Sequence, residues 1–316
     1  MRFCVPLFAI LLAACEPPDP FPLPTGGPGV QAVSLLGDSL VPGPAPDSVR
    51  AAQWIQLDSA HAALVARPDD PDAWIWLGRR LAYLGHYRPA LTAYTEALAK
   101  HPGDARLLRH RGHRYLTIRE LGAAVEDFTR AATLVRGMPD EVEPDGQPNA
   151  LGIPTSTLQF NIWYHLGLAR YLQGDFERAL PAYRECLAVS TNPDALVATS
   201  YWLYLTQRRL GRDSAAAAAL EPITADLTVI ENDAYHRLLL LFRGDASGDD
   251  LLASARSGDA IQNATVAYGV GAWALVNGDT ARAGEIFRGI LDGPQWAGFG
   301  YLAAEAELAR AREVSN

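Results

Sequence analysis

Five small or aromatic positions in this chain define a spacing that comes back 34 residues later. Gly78, Ala90, Tyr94, Ala97 and Pro102 are followed at that interval by Gly112, Ala124, Phe128 and Ala131, with Arg136 in place of the proline. The offsets of 12, 16 and 19 from a glycine recur from Gly167 as Ala179, Tyr183 and Cys186, and from Gly271 as Ala283, Phe287 and Ile290. A fixed period of this length marks a repeat architecture, in which each unit buries its apolar face only by stacking on its neighbours. Apolar residues three and four apart within each unit put the buried set on one helical face. The chain therefore reads as all-α, and its 316 residues as one elongated array rather than two globular domains.

The best-preserved unit, 71–104, carries Trp74, Leu77, Gly78, Leu81, Gly85, Tyr87, Ala90, Tyr94, Ala97 and Pro102. These positions resemble the consensus of the tetratricopeptide repeat. The resemblance implies a right-handed superhelical solenoid of stacked antiparallel helix pairs, whose groove binds peptides rather than transforming substrates. Further units are expected at about 105–136, 160–193 and 197–230; in the last, Tyr204, Ala216, Leu220 and Ile223 keep the offsets but not the glycine. A degenerate unit at 231–258, another at 264–295 and a solvating capping helix at 296–312 complete the array, and 48–68 ahead of it reads as an unpaired second helix. Gly85, Gly174, Gly211, Gly244 and Gly278 fall between helices, where glycine takes positive φ at a helix end. Arg243-Gly244-Asp245 is accordingly read as a turn and not as an adhesion motif.

The first fifteen residues have another character. Arg2 precedes the apolar run Phe3–Ala14, too short for a bilayer core of about 30 Å but right for the centre of an export signal. Leu12-Ala13-Ala14-Cys15 resembles a bacterial lipobox, which implies that Cys15 is diacylated, becomes the mature N-terminus and anchors the protein in a membrane through lipid. Glu16 stands where an aspartate would favour inner-membrane retention, so the expected location in the cell envelope is the outer membrane, facing the periplasm. Residues 16–47 hold nine prolines and read as a tether, within which Val33–Val41 is apolar enough to dock. With Cys4 in the signal and Cys15 acylated, Cys186 has no cysteine left to pair with.

A net charge of −9 argues against nucleic-acid binding, which needs a basic footprint. That balance hides a stretch from Arg79 to Arg119 with nine basic residues and two acids, Glu96 and Asp104. By the family's pattern, the concave face would be lined by Arg79 and Tyr83 from the first unit, Arg106, Arg109 and His113 from the second, and Asn161, Tyr164 and Tyr171 from the third. Arg79, Arg106 and Arg109 together would hold a protein or peptide partner by an acidic segment or a C-terminal carboxylate. Between the second and third units, 136–160 forms a long insertion with four prolines. Its Leu151, Ile153, Leu158 and Phe160 suggest apolar docking on the solenoid, and Asp140, Glu141, Glu143 and Asp145 are candidates to approach the basic face.

Three motifs carry possible chemistry. Gly37-Asp38-Ser39-Leu40 with Asp233 and His236 imitates the Gly-Asp-Ser-Leu hydrolases, but a serine in a mobile tether lacks the positioning that catalysis needs. Glu141-x-Glu143-x-Asp145-Gly146 echoes a calcium loop whose twelfth position, Gly152, cannot ligate. His110 and His113, joined by His101 or His165, could share a zinc ion were they not among arginines. The sequence thus reads as a lipid-anchored scaffold for protein–protein interaction, with no catalytic residue, metal or cofactor. A surface lipoprotein serving uptake or adhesion is the alternative within binding proteins.

Overall fold

A computed structural model describes residues 19–255 and 260–315, so the export signal and Cys15 lie outside the described residues. A short ribbon, β1 (Ala32–Val33) against β2 (Ser39–Leu40), is followed by α1 (Asp47–Ala66) and then by helix pairs. The pairs are α2 (Pro71–Tyr83) with α3 (Tyr87–Lys100), α4 (Ala105–Thr117) with α5 (Leu121–Leu134), α6 (Leu158–Leu172) with α7 (Phe176–Ala188), and α8 (Pro193–Arg209) with α9 (Asp213–Ala218). Two more follow, α10 (Asp233–Arg243) with α11 (Gly248–Ser254) and α12 (Ala260–Val276) with α13 (Thr280–Leu291), before α14 (Phe299–Ser315). This is an all-α solenoid of helix pairs, each stacked on the next.

Local chemistry sets the ends of the helices. Asp70 accepts from Asp72 N and Asp104 from Arg106 N and Leu107 N, so the first two repeats begin on aspartate caps. All five inter-helix glycines have positive φ, including Gly244, which closes α10 in the Arg-Gly-Asp turn. The second repeat differs: 34 residues after Gly85, Arg119 sits at φ 70°. An arginine held in that conformation needs compensation from its side chain.

The 16-residue offset has a direct cause. A methyl group added at Gly78 would come within 2.3 Å of the Tyr94 ring, and at Gly112, Gly167 and Gly271 within 2.9, 2.6 and 2.6 Å of Phe128, Tyr183 and Phe287. Each aromatic therefore lies flat against the glycine of its own repeat, and the pair fixes how closely the two helices approach. Tyr94 is 1 % exposed and has no room to retreat. Gly78→Ala is expected to cost about 1–3 kcal/mol by overpacking, measured by urea unfolding; an unchanged midpoint would refute this account of the contact.

Two expectations change at the ends of the array. Residues 19–46 are an ordered arm and not a free tether: Phe21, Ala32 and Leu40 are buried, Arg88 N donates to Gln31 Oε1 (3.0 Å), and Pro42 packs on Gly85. Prolines lose little entropy on ordering, so an arm with few apolar residues still docks when its carbonyls and rings find partners. The capping helix is likewise not solvating. Residues 301–307 of α14 are all buried, against α12, α13 and α6, and Glu305 and Glu307 are paired internally with Arg119 and Arg209. The arm reaches this helix through Leu35 N to Glu305 Oε1 (2.6 Å), and the turn before it through Trp296 Nε1 to Val41 O (2.8 Å). The last helix thus returns to the third repeat, and the solenoid closes on itself.

Candidate functional site: the concave face of the first three repeats

Closure divides the face expected to bind. In the C-terminal part the first helices of successive repeats meet one another, and their aromatic side chains become core. Tyr164 Oη accepts from Trp202 Nε1 (2.8 Å) and is 2.9 Å from Tyr235 Oη, while Tyr268 Oη donates to Tyr171 Oη (3.2 Å). Tyr164 and Tyr171 are 6 % and 1 % exposed and are therefore not groove residues. His113 is half-buried, its ring 4.7 Å from that of His165 and 5.4 Å from that of Phe299, and it still lines the cavity between α2 and α4. The physical reason is that α8, α10 and α12, with Phe299 at the start of α14, pack over what would be an open face.

What remains is the surface of α2 and α4 with the start of α6. Here the expected trio of arginines separates. Arg106 is engaged by two carboxylates, donating to Asp104 (Nη2–Oδ2, 2.7 Å) and to Asp72 Oδ1 (2.5 Å), and stands apart from the cavity between α2 and α4. Arg79 pairs with no carboxylate among the described residues; it donates to Pro144 O (2.6 Å) and stacks over Trp76 (4.7 Å). Tyr83 stands beside it, Arg79 Nη2 to Oη at 3.4 Å. Arg109 is buried and meets Glu143, Nε to Oε2 at 3.0 Å, with both side chains 10 % exposed.

Two further arginines belong here, Arg80 and Arg114. They are equivalent positions in the 34-residue period, so the repeat contained the signal that the expected list lacked. Arg80 donates to Gly146 O (3.1 Å), and Arg114 lies over the Tyr87 ring (5.6 Å). Arg79, Ala82, Tyr83, Tyr94, Arg109, His110, His113 and Arg114 surround a cavity of about 120 Å³. Burial pushes His110 and His113 well below the usual imidazole range, and the neighbouring arginines add to the shift. His110 is thus neutral; since a guanidinium only donates, Arg109 Nη1 at 3.0 Å makes its Nδ1 the acceptor. Burial likewise lowers Arg109, against which Glu143 acts to hold the charge.

The insertion lies over this surface. Glu143 reaches Arg109 and accepts from Asn161 Nδ2 (3.1 Å), as the approach of its acids to the basic face anticipates. Apolar docking is corrected: Leu151 and Ile153 are exposed, and only Leu158 and Phe160, which belong to α6, pack inward. The second limb is held by polar groups as well, with Asn149 and Thr155 donating to Glu231. Docking uses carbonyls and a carboxylate because arginines line the receiving face.

The hydrolase constellation is not assembled. Ser39 is in the ordered ribbon rather than a mobile tether, Asp233 pairs with Arg237 (2.8 Å), and His236 Nε2 donates to Thr224 O (2.8 Å). Among the described residues no group of three His, Cys, Asp or Glu is placed to hold a metal ion, and no helix is long and apolar enough to cross a membrane.

Two family models, each described as a tetratricopeptide repeat, match residues 71–114, the first helix pair with most of α4, and 160–192, the third pair. No curated protein matches the chain. Among solved structures, similarity extends to a tetratricopeptide repeat protein from Parabacteroides merdae, 16 % identical over 82 % of this chain and 93 % of that one, with a TM-score of 0.48. YrrB, described as a TPR protein with an unusual peptide-binding site, is 15 % identical over 80 % and 99 % of the two chains, with a TM-score of 0.43. PilW, described as a type IV pilus biogenesis factor, is 15 % identical over 79 % and 94 %, also with a TM-score of 0.43.

Proposed function

This chain being a tetratricopeptide-repeat protein, we propose that it is a protein–protein interaction scaffold, lipid-anchored at the bacterial cell envelope through Cys15, that captures an acidic segment of a partner on the concave face of its first repeats. The observation that carries the reading is the charge of that face. Arg79, Arg80, Arg109 and Arg114 project onto it from two successive first helices, and Arg109 already holds a carboxylate there, that of Glu143. Partly enclosed guanidinium groups form charge-assisted bonds to carboxylates that are stronger than those in water. The anchor follows from the lipobox, with outer-membrane retention facing the periplasm, and the packed arm would hold the array close to the bilayer rather than at the end of a free tether.

The test joins both parts. A photo-crosslinking amino acid at Tyr83 in living cells is expected to capture an acidic stretch of a partner, and Arg79→Ala with Arg114→Ala to reduce that capture at least tenfold with helicity unchanged. Cys15→Ser should release the protein from membranes and abolish metabolic lipid labelling. Undiminished capture by the double variant refutes the binding face, and labelling that survives the serine refutes the anchor.

A further inference from the structure

We propose that the 136–160 insertion is a built-in ligand: it keeps the basic concave face occupied, and a partner segment of the same chemistry, a carboxylate followed by free backbone carbonyls, binds by displacing it. The inference rests on the concave face being the binding surface, as argued above.

The loop meets the face as an extended peptide would. Within four residues it presents the Glu143 carboxylate to Arg109 (3.0 Å), the Pro144 carbonyl to Arg79 (2.6 Å) and the Gly146 carbonyl to Arg80 (3.1 Å). These partners come from successive first helices, and Asn161 adds a bond from a third. Proline at 144 pre-orders the chain in an extended form, which lowers the entropy lost on docking. Gly146 is buried, and a Cβ there would lie 2.1 Å from Tyr83 Oη and 2.6 Å from Arg79 Nη2, so any larger residue has to push these two side chains from their places against the loop.

The same contacts make the loop replaceable. Met138, Val142, Leu151 and Ile153 remain 61, 60, 66 and 50 % exposed, so the insertion lacks the apolar burial that fastens the helices. Its bonds to the face are of a kind that an incoming acidic segment reproduces one for one, so exchange carries little net penalty. The face is also short of negative charge. Among the described residues Arg79, Arg80 and Arg114 form no ion pair, so a segment with a second carboxylate gains an attraction that the loop does not supply. The affinity that a partner experiences is its intrinsic affinity reduced by the fraction of molecules with the loop displaced. The insertion is therefore a threshold against weakly acidic segments.

The probe is a fluorescent synthetic peptide of residues 138–148, Met-Pro-Asp-Glu-Val-Glu-Pro-Asp-Gly-Gln-Pro, titrated against the purified full chain by anisotropy. Two variants loosen the loop in place: Gly146→Val, which crowds Tyr83 Oη and the Arg79 guanidinium, and Glu143→Gln, which loses the carboxylate. Both are expected to keep helicity and to bind the peptide at least tenfold more tightly than the unsubstituted chain. A peptide with glutamine in place of Glu143 is expected to bind the loosened chains at least tenfold more weakly than the native peptide. Equal binding to all three chains shows that the loop does not occlude the face and overturns the inference while leaving the binding surface intact. Absence of binding to folded, loosened chains shows that the loop is structural packing. If Gly146→Val does not fold, Glu143→Gln alone decides between these results. Crosslinking from Tyr83 is the separate measure of whether the face binds anything, so its failure and the failure of displacement are distinguishable.

Discussion

Glu305→Ala is expected to lower folding stability by about 3–5 kcal/mol, the cost of leaving a buried charge without its partner. Glu305 is fully buried and accepts from Arg119 Nε (3.2 Å), Arg119 Nη2 (2.7 Å) and Leu35 N (2.6 Å). Arg119 donates also to Thr117 O and Trp296 O, which ties the turn of the second repeat to the approach of α14. Truncation would strand a guanidinium and a backbone N–H in the interior together. The double variant Arg119→Gly with Glu305→Leu separates charge from packing. Removing both charges avoids the unpaired ion, and glycine relieves the positive φ of Arg119, so the double variant should be more stable than Glu305→Ala. Urea unfolding followed by circular dichroism measures all three chains. A loss below about 1 kcal/mol in Glu305→Ala would show that the ring is not closed by this pair.

Acid should destabilise the protein over a defined range. His165 is 4 % exposed, its Nδ1 donates to Asn161 O (2.5 Å), and burial, followed by the charge of Arg109, lowers it to about 3. The folded state therefore keeps this ring neutral where the unfolded chain, with an ordinary value of about 6.5, takes up a proton. Stability is complete above that value, declines as pH falls through it, and stops declining on this account near pH 3. At pH 5 the loss from His165 alone amounts to about 2 kcal/mol, and His110 and His113, shifted in the same direction, add to it. His165→Gln is expected to shrink the stability difference between pH 7.5 and pH 5 by about 2 kcal/mol. A pH dependence identical to that of the unsubstituted chain would refute the assignment.

Parts of the candidate site were legible because they repeat. Arg79 and Tyr83 sit where the resemblance to the repeat family places groove residues, and both touch the insertion or the cavity beside it. Arg109 was legible too, but its burial and its pairing with Glu143 depend on a loop that belongs to no repeat. Arg106 stands apart from the other two arginines for a local reason: its own helix cap, Asp104, and Asp72 from the preceding repeat both pair with it. Tyr164 and Tyr171 occupy positions that usually face a groove and are buried because other helices arrive above them, whereas His113, at such a position too, still lines the cavity.

The period of 34, the glycine–aromatic offset of 16 and the glycine turns are local properties, since each involves residues of one helix pair and acts at short range. They suffice to specify the helices, their pairing and their stacking. Closure of the array is of another kind. It comes from Arg119 meeting Glu305 across 186 residues and Trp296 meeting Val41 across 255, in contacts that no repeat spacing encodes. A glutamate in an alanine-rich helix reads as a solvent-facing residue until the fold supplies a buried arginine, and a proline-rich arm reads as a tether until a glycine turn offers a seat for Pro42. Small changes in the angle between stacked pairs add up along the array, so whether α14 meets α6 depends on all the pairs together, and that sum is expressed only in the assembled chain.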